Sequence, residues 1–160
     1  MDIRPYLERD LPRLIEVTID TFGPFYEENF RPLVGETVFA HQHGAWREDY
    51  RAQVPTLHDP PAHKYVAVAE DEGDLLGYVA WNIDPARRHG KVEILAVKQQ
   101  HRRTGTGTIL CEHAFSDMRD RAVEVAAIGT GGDAFHAPAR ALYSSLGCIE
   151  LPVAVFFKQL

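Results

Sequence analysis

The feature that most constrains this chain is a six-residue loop, Arg102-Arg103-Thr104-Gly105-Thr106-Gly107, set between two patterns of different period. Val92 to Val97 reads as a strand, whereas Leu110, Cys111, Ala114, Phe115, Met118 and Ala122 recur at three- and four-residue steps, the mark of an amphipathic helix. A helix N-terminus leaves several backbone N–H groups unpaired and carries partial positive charge, so it attracts anions. Glycines there let a phosphate approach the backbone closely. Arg102 and Arg103 add charge where a diphosphate needs it. Two familiar phosphate loops are excluded. A P-loop requires Gly-Lys-Ser/Thr after a wider glycine spacing, and a dinucleotide fingerprint requires a third small residue where Leu110 stands. Taken alone, Gly-x-Gly before a helix also marks a plain tight turn.

The remainder of the chain supplies the frame. Ile3 to Tyr6 reads as a short strand, and Leu11, Leu14, Ile15, Thr18, Ile19 and Phe22 carry a helical period. From Gly23 to Gln53 the pattern is irregular and aromatic, consistent with one or two helices broken near Pro32 and Gly35. Prolines make Thr56 to His63 a loop. Lys64 to Glu70 and Leu75 to Ile83, joined by a polar turn with Gly73, predict an antiparallel hairpin, and Val92 to Val97 extends it into a meander. Val123 to Ile128 reads as a strand, Pro138 to Leu146 as a short helix with a left-handed cap at Gly147, and Val153 to Lys158 as a closing strand. The expected order is β-α-α-β-β-β-α-β-α-β.

Composition narrows the function. At 160 residues and 45% hydrophobic content, one domain over residues 1–160 is expected. With 23 acidic against 17 basic residues the net charge is -6, which argues against nucleic acid and favours cationic partners such as amines. Two cysteines support neither a disulfide framework nor a zinc ribbon, so a reducing compartment fits best. No apolar run of about 18 residues and no apolar leader core occur, giving a cytoplasmic, soluble protein with no membrane partner as the expectation. His41, His43, His58 and His63 lack acidic or cysteine ligands at fixed spacing, so no metal site is read from them.

Arg102 to Gly107 resembles the pyrophosphate motif Arg/Gln-x-x-Gly-x-Gly/Ala of the GCN5-related N-acetyltransferases. Glu93-Ile94-Leu95-Ala96-Val97 is similar to that family's fourth strand, and Ala139 to Gly147 to its Ala-x-x-x-Tyr-x-x-x-Gly segment. The resemblance covers nearly the whole chain, from Ile3 to Lys158. It implies an α/β (α+β) fold with a mixed, mostly antiparallel sheet of six to seven strands and about four helices. It also implies acetyl-CoA as co-substrate and direct transfer to a primary amine in a ternary complex. An amine-bearing small molecule or peptide is the implied acceptor, and dimers are frequent in the family, so a homodimer is compatible. The alternative is a non-catalytic acyl-CoA-binding or regulatory module of the same fold.

The same resemblance distributes roles over residues. Arg102, Arg103, Thr104, Gly105, Thr106, Gly107 and Thr108 are expected to hold the pyrophosphate. Leu95 and Ala96 would offer backbone to pantetheine, and the Val97 N–H would polarise the thioester carbonyl. Tyr143 is the expected general acid, since a phenol stays protonated at neutral pH. A buried, backbone-bonded tyrosine is the other reading. Glu93 is the expected base, although strict alternation places it on the face of Leu95 and Val97, beside Lys91. His136 stands where many relatives carry an asparagine that contacts pantetheine, and is the competing base. Phe25, Tyr26, Trp46 and Tyr50 either line an acceptor pocket or pack a core. The acidic residues Glu27, Glu28, Glu36, Glu48 and Asp49 are the only pointer to a polycationic acceptor.

Overall fold

A computed structural model describes all of residues 1–160. Five strands form one sheet in the order of the chain: β1 (Asp2–Pro5), β2 (Lys64–Asp71), β3 (Asp74–Asp84), β4 (His89–Val97) and β5 (Val125–Ile128). The first four pair antiparallel, and β5 joins β4 in parallel. Helices α1 (Leu11–Pro24), α2 (Arg31–Val34), α3 (Glu36–His43) and α4 (Trp46–Gln53) lie between β1 and β2. Helix α5 (Thr106–Asp120) connects β4 to β5, and α6 (Ala137–Ser145) follows β5.

The sheet is buried on both faces because its strands present apolar side chains both ways. Val66, Val68, Tyr78, Ala80, Ile94 and Ala96 pack with Leu14 and Val17 of α1, whereas Ala67, Ala69, Val79, Trp81 and Val92 pack with Leu110, Ala114 and Met118 of α5. The α1 and α5 residues involved lie three, four or eight positions apart, so each helix contributes one stripe. Arg4 ties β1 to its neighbour. It donates to Glu70 on β2 and to both carboxylate oxygens of Asp10, at 2.8 and 2.9 Å.

Two expectations are corrected. The sheet has five strands, not six to seven, because Val153 to Lys158 forms no strand; beyond Cys148 the chain makes no backbone hydrogen bond. The segment between Gly23 and Gln53 is helical as expected, though cut into the short pieces α2 to α4, and the expected mixed α/β plan holds. The chain is not broken at Pro32, which occupies the first turn of α2 after a π-helical turn, Phe25–Phe30. A proline lacks an N–H that the first turn would leave unpaired anyway. The break comes at Gly35, whose φ of 83° is the left-handed conformation that glycine tolerates. Gly147, φ 82°, caps α6 as expected.

Candidate functional site

The loop expected to bind an anion is shaped by two left-handed residues. Arg103 has φ 60° and Gly105 φ 87°, so the backbone curls before α5 begins at Thr106. No acceptor in the chain takes the amides of Arg103 to Thr108, and the first bond into the helix is Ile109 N–H to Gly105. The Thr104 hydroxyl donates to the His101 carbonyl at 2.6 Å and meets the Thr106 hydroxyl at 2.9 Å, which fixes the curl from within. Consecutive free amides in such a curl form a concave anion cradle. At Gly105 a side chain would meet nothing within 4 Å, so the approach is open there. At Gly107 the constraint is packing: a Cβ would come within 3.2 Å of Leu142 on α6. Arg102 turns back, its Nε donating to the Val97 carbonyl at 3.2 Å.

β4 and β5 pair only from His89 to Val92, against Val125 to Ile128. Past Val92 the β5 side of β4 is therefore open, and the register with β3 decides which backbone groups face the opening. Lys98 N–H donates to the Leu76 carbonyl at 2.9 Å, which makes Gly77 and Val97 a non-hydrogen-bonded pair. Leu95 and Val97 consequently turn their N–H groups toward the opening, while those of Ala96 are spent on Tyr78. Ala96, expected to share the pantetheine rail, instead sits fully buried against the α1 face.

Glu93 does not share the face of Leu95 and Val97. The β3–β4 register skips at this point, Trp81 facing Val92 and Ala80 facing Ile94, so Glu93 is the extra residue of a bulge. Its carboxylate accepts from Asn82 Nδ2 at 2.6 Å and lies 3.5 Å from Lys91 Nζ. Strict alternation fails here because a bulge inserts one unpaired residue and reverses every side chain beyond it.

Tyr143 lies on α6, half-buried, and its hydroxyl bonds to nothing in the chain. Burial, followed by the proximity of Cys111 and Cys148, raises its phenol well above the ordinary range, so it stays protonated at neutral pH. The buried Cys111 thiol beneath it is likewise pushed up by burial, to about 12. His136 is at the N-terminal end of α6, with Nδ1 2.6 Å from Asp133 Oδ1 and its ring edge-on to Phe25 at 4.7 Å. Burial opposes ionisation of Asp133, but His136 and the Phe135 amide together hold its carboxyl below the usual range. Arg140 donates to the Gly131 and Asp133 carbonyls at 2.6 and 2.7 Å and so clamps the loop that carries this pair. Asp133 and Arg140 were missed from sequence; an acid three residues before a histidine was the available signal.

The aromatic segment forms a packed cluster rather than an open wall. Tyr26 stacks on Trp46 at 5.1 Å, its hydroxyl meets that of Tyr50 at 2.9 Å, and Phe30, Phe39 and Trp46 are buried together. Phe25 alone reaches the α6 side, contacting Phe135 and His136. The expected acidic group is largely neutralised. Glu27 accepts from Trp46 and Arg31, Glu36 pairs with Arg31, and Glu48 with Arg51. A cleft of about 710 Å³ opens beside α1, where Glu16, Asp20 and Glu28 face Lys98 and Arg102 of the loop after β4.

The sheet is thus mostly antiparallel and parts between β4 and β5, with a run of free amides at the head of the helix that follows β4. Residues 22–148 match the Acetyltransferase (GNAT) family, and the chain belongs to that family. No curated protein matches it in sequence. Among solved structures, a mutant of a Bacillus halodurans protein is similar over 100% of both chains, with TM-score 0.72 and 18% identity. The PaiA N-acetyltransferase of Thermoplasma acidophilum, in complex with coenzyme A, is similar with TM-score 0.69 and 15% identity over 91% of this chain and 87% of that one. An aminoglycoside acetyltransferase from an uncultured soil metagenomic sample, in complex with sisomicin, gives TM-score 0.64 and 19% identity over 99% and 95%. No helix is long and apolar enough to cross a membrane.

Proposed function

We propose that residues 1–160 act as one transferase domain that moves an acetyl group from acetyl-CoA to a primary amine by direct attack in a ternary complex. The observation that carries this reading is the run of free amides from Arg103 to Thr108 at the head of α5, level with the open edge of β4. The diphosphate rests on those amides, with Arg103 adding charge, and the pantetheine arm runs along the Leu95 and Val97 backbone. The Val97 N–H polarises the thioester carbonyl, which becomes an oxyanion as nitrogen attacks. A C–N bond forms and the C–S bond breaks. The departing thiolate takes its proton from Tyr143, and the amine gives up its proton to a base.

Glu93 is the proposed base, acting directly or through water from its bulge on β4. A second reading rests on one observation: Asp133 holds His136 Nδ1 at 2.6 Å, which fixes the ring and leaves Nε2 to accept a proton. Acceptor classes that fit are small amines and polyamines, including the aminoglycosides that one of the similar enzymes is named for. Calorimetry with acetyl-CoA tests the cradle, and thiol release across an amine panel tests the transfer. Binding without turnover on any amine would leave a carrier-binding module in place of an enzyme. Tyr143→Phe should lower kcat at least tenfold while leaving acetyl-CoA affinity within twofold; an unchanged kcat removes Tyr143 from the mechanism.

A further inference from the structure

The loop between β5 and α6 is shaped around one side-chain pair. It contains Gly129, Gly131 and Gly132, and the three are not equivalent. A Cβ at Gly129 or Gly132 would meet nothing within 4 Å, whereas one at Gly131 would strike Asp133 Oδ1 and lie 2.6 Å from His136 Nδ1. Gly131 does not adopt the left-handed conformation, so the backbone does not ask for glycine there. The side chain it lacks is room for Asp133 and His136.

Arg140 serves the same pair from the helix. It follows His136 by one turn, its amide donating to the His136 carbonyl at 3.0 Å. Its Nη1 donates to the Gly131 and Asp133 carbonyls at 2.6 and 2.7 Å, so the guanidinium shapes the loop rather than neutralising an acid. The Phe135 amide donates to Asp133 Oδ2 at 3.1 Å, which orients the carboxylate. Phe25 and Phe135 stand edge-on to the imidazole at 4.7 and 5.0 Å.

These contacts select a tautomer. The Asp133 carboxyl is held below its usual range, so at neutral pH it only accepts, and Nδ1 carries the hydrogen of the neutral ring. Nε2 is then bare. Only 17% of the side chain is exposed, yet Nε2 has no partner in the chain and no buried side-chain nitrogen lacks one, so Nε2 reaches the open side of the ring. Tyr143 lies about two turns further along α6, on the same face.

We infer that Gly131 and Arg140 are positioning residues: they set Asp133 so that His136 presents a bare Nε2, and this nitrogen takes the proton of the attacking amine. The inference rests on the acetyl-transfer reading and develops the second of its two bases. As the C–N bond forms and the C–S bond breaks, the proton on the amine nitrogen passes to Nε2. The imidazolium, stabilised by Asp133, returns it to water, while Tyr143 protonates the thiolate and regains a proton from water. The charged groups set against the ring are Asp133 and, through the loop carbonyls, Arg140; Phe25 of the π-helical turn and Phe135 are apolar.

Nitrogen-15 NMR of the labelled protein without ligand, at about pH 9 and so above the ordinary imidazole range, reads the tautomer. His136→Gln identifies the signals of this ring among the 8 histidines. The unaltered protein should show a protonated Nδ1 and a bare Nε2. Gly131→Ala and Arg140→Ala should convert most of the ring to the Nε2–H form, with Arg140→Lys between them. Gly131→Ala meets side-chain tips, not backbone, so circular dichroism should be unchanged. A majority of Nε2–H in the unaltered protein, or one tautomer in every variant, overturns the positioning roles. In thiol-release assays Arg140→Ala should lower kcat about tenfold at about pH 7 and keep acetyl-CoA affinity within about twofold by calorimetry. Arg140→Lys should recover most of the rate, and the deficit should shrink as pH rises and hydroxide takes the proton. A kcat that does not follow the tautomer removes His136 as the proton acceptor. Unaltered protein inert toward every amine refutes the transfer reading and with it the proton step, whereas the NMR result alone decides the positioning.

Discussion

Arg4 and Asp10 illustrate what a single residue can carry here. Asp10 is 1% exposed, and its charge is tolerated because Arg4 donates two hydrogen bonds to it and the Leu7 amide a third. Arg4→Ala would leave that carboxylate buried with no cation and only the Leu7 amide as donor, so unfolding in urea should show a loss of about 3 kcal/mol, whereas Arg13→Ala on the surface should cost under about 0.5 kcal/mol. Gly105 is constrained differently. Its φ of 87° and the empty space around it mean that Gly105→Val both strains the turn and fills the approach to the amides. Acetyl-CoA affinity should fall more than a hundredfold by calorimetry, with the melting temperature much less affected; unaltered affinity would contradict the cradle. The turn at Gly105 was legible as a residue type, because a left-handed backbone favours glycine. The partner of Asp10 was not, since a hydrogen bond from β1 to the helical turn after it leaves no periodic trace.

Among the elements, β4 decides the most. Its hairpin with β3 was legible from alternation and the intervening polar turns. The bulge at Glu93 was not, because one extra residue in a strand changes no composition and is revealed only by the opposite strand's register. Gly77 on β3 lies against the working end of β4: a Cβ would come within 2.5 Å of the Ala96 carbonyl oxygen and 3.0 Å of Val97 Cα. Gly77→Ala should therefore displace the Leu95–Val97 edge, costing about 1–3 kcal/mol in stability and lowering acetyl-CoA affinity as well, read by thermal melts and calorimetry together. The segment between α1 and α4 shows the opposite case. Its aromatics gave no motif, yet in three dimensions Tyr26, Trp46 and Tyr50 brace one another, and Trp46→Ala should cost about 3–5 kcal/mol in urea unfolding.

For the molecule as a whole, the carboxylates set the response to acid. Asp10 is lowered chiefly by Arg4, Asp74 chiefly by Lys98, and Asp133 by His136 against the opposing effect of burial. A carboxyl lowered on folding contributes stability that is fully present above its unfolded value of about 4 and is lost as pH falls through the folded value. The urea midpoint should hold between about pH 7 and 5 and drop steeply below about pH 4; a midpoint that rose in acid would contradict these pairings. The sequence by itself determined the succession of strands and helices from β1 to α6 and the strand-to-loop-to-helix passage, because period and turn chemistry are local. Tertiary structure decided which backbone groups of β4 remain open, which acids are already paired, and that the last apolar segment lies outside its own sheet. Those outcomes depend on what the neighbouring strand or helix occupies, and no local pattern records that.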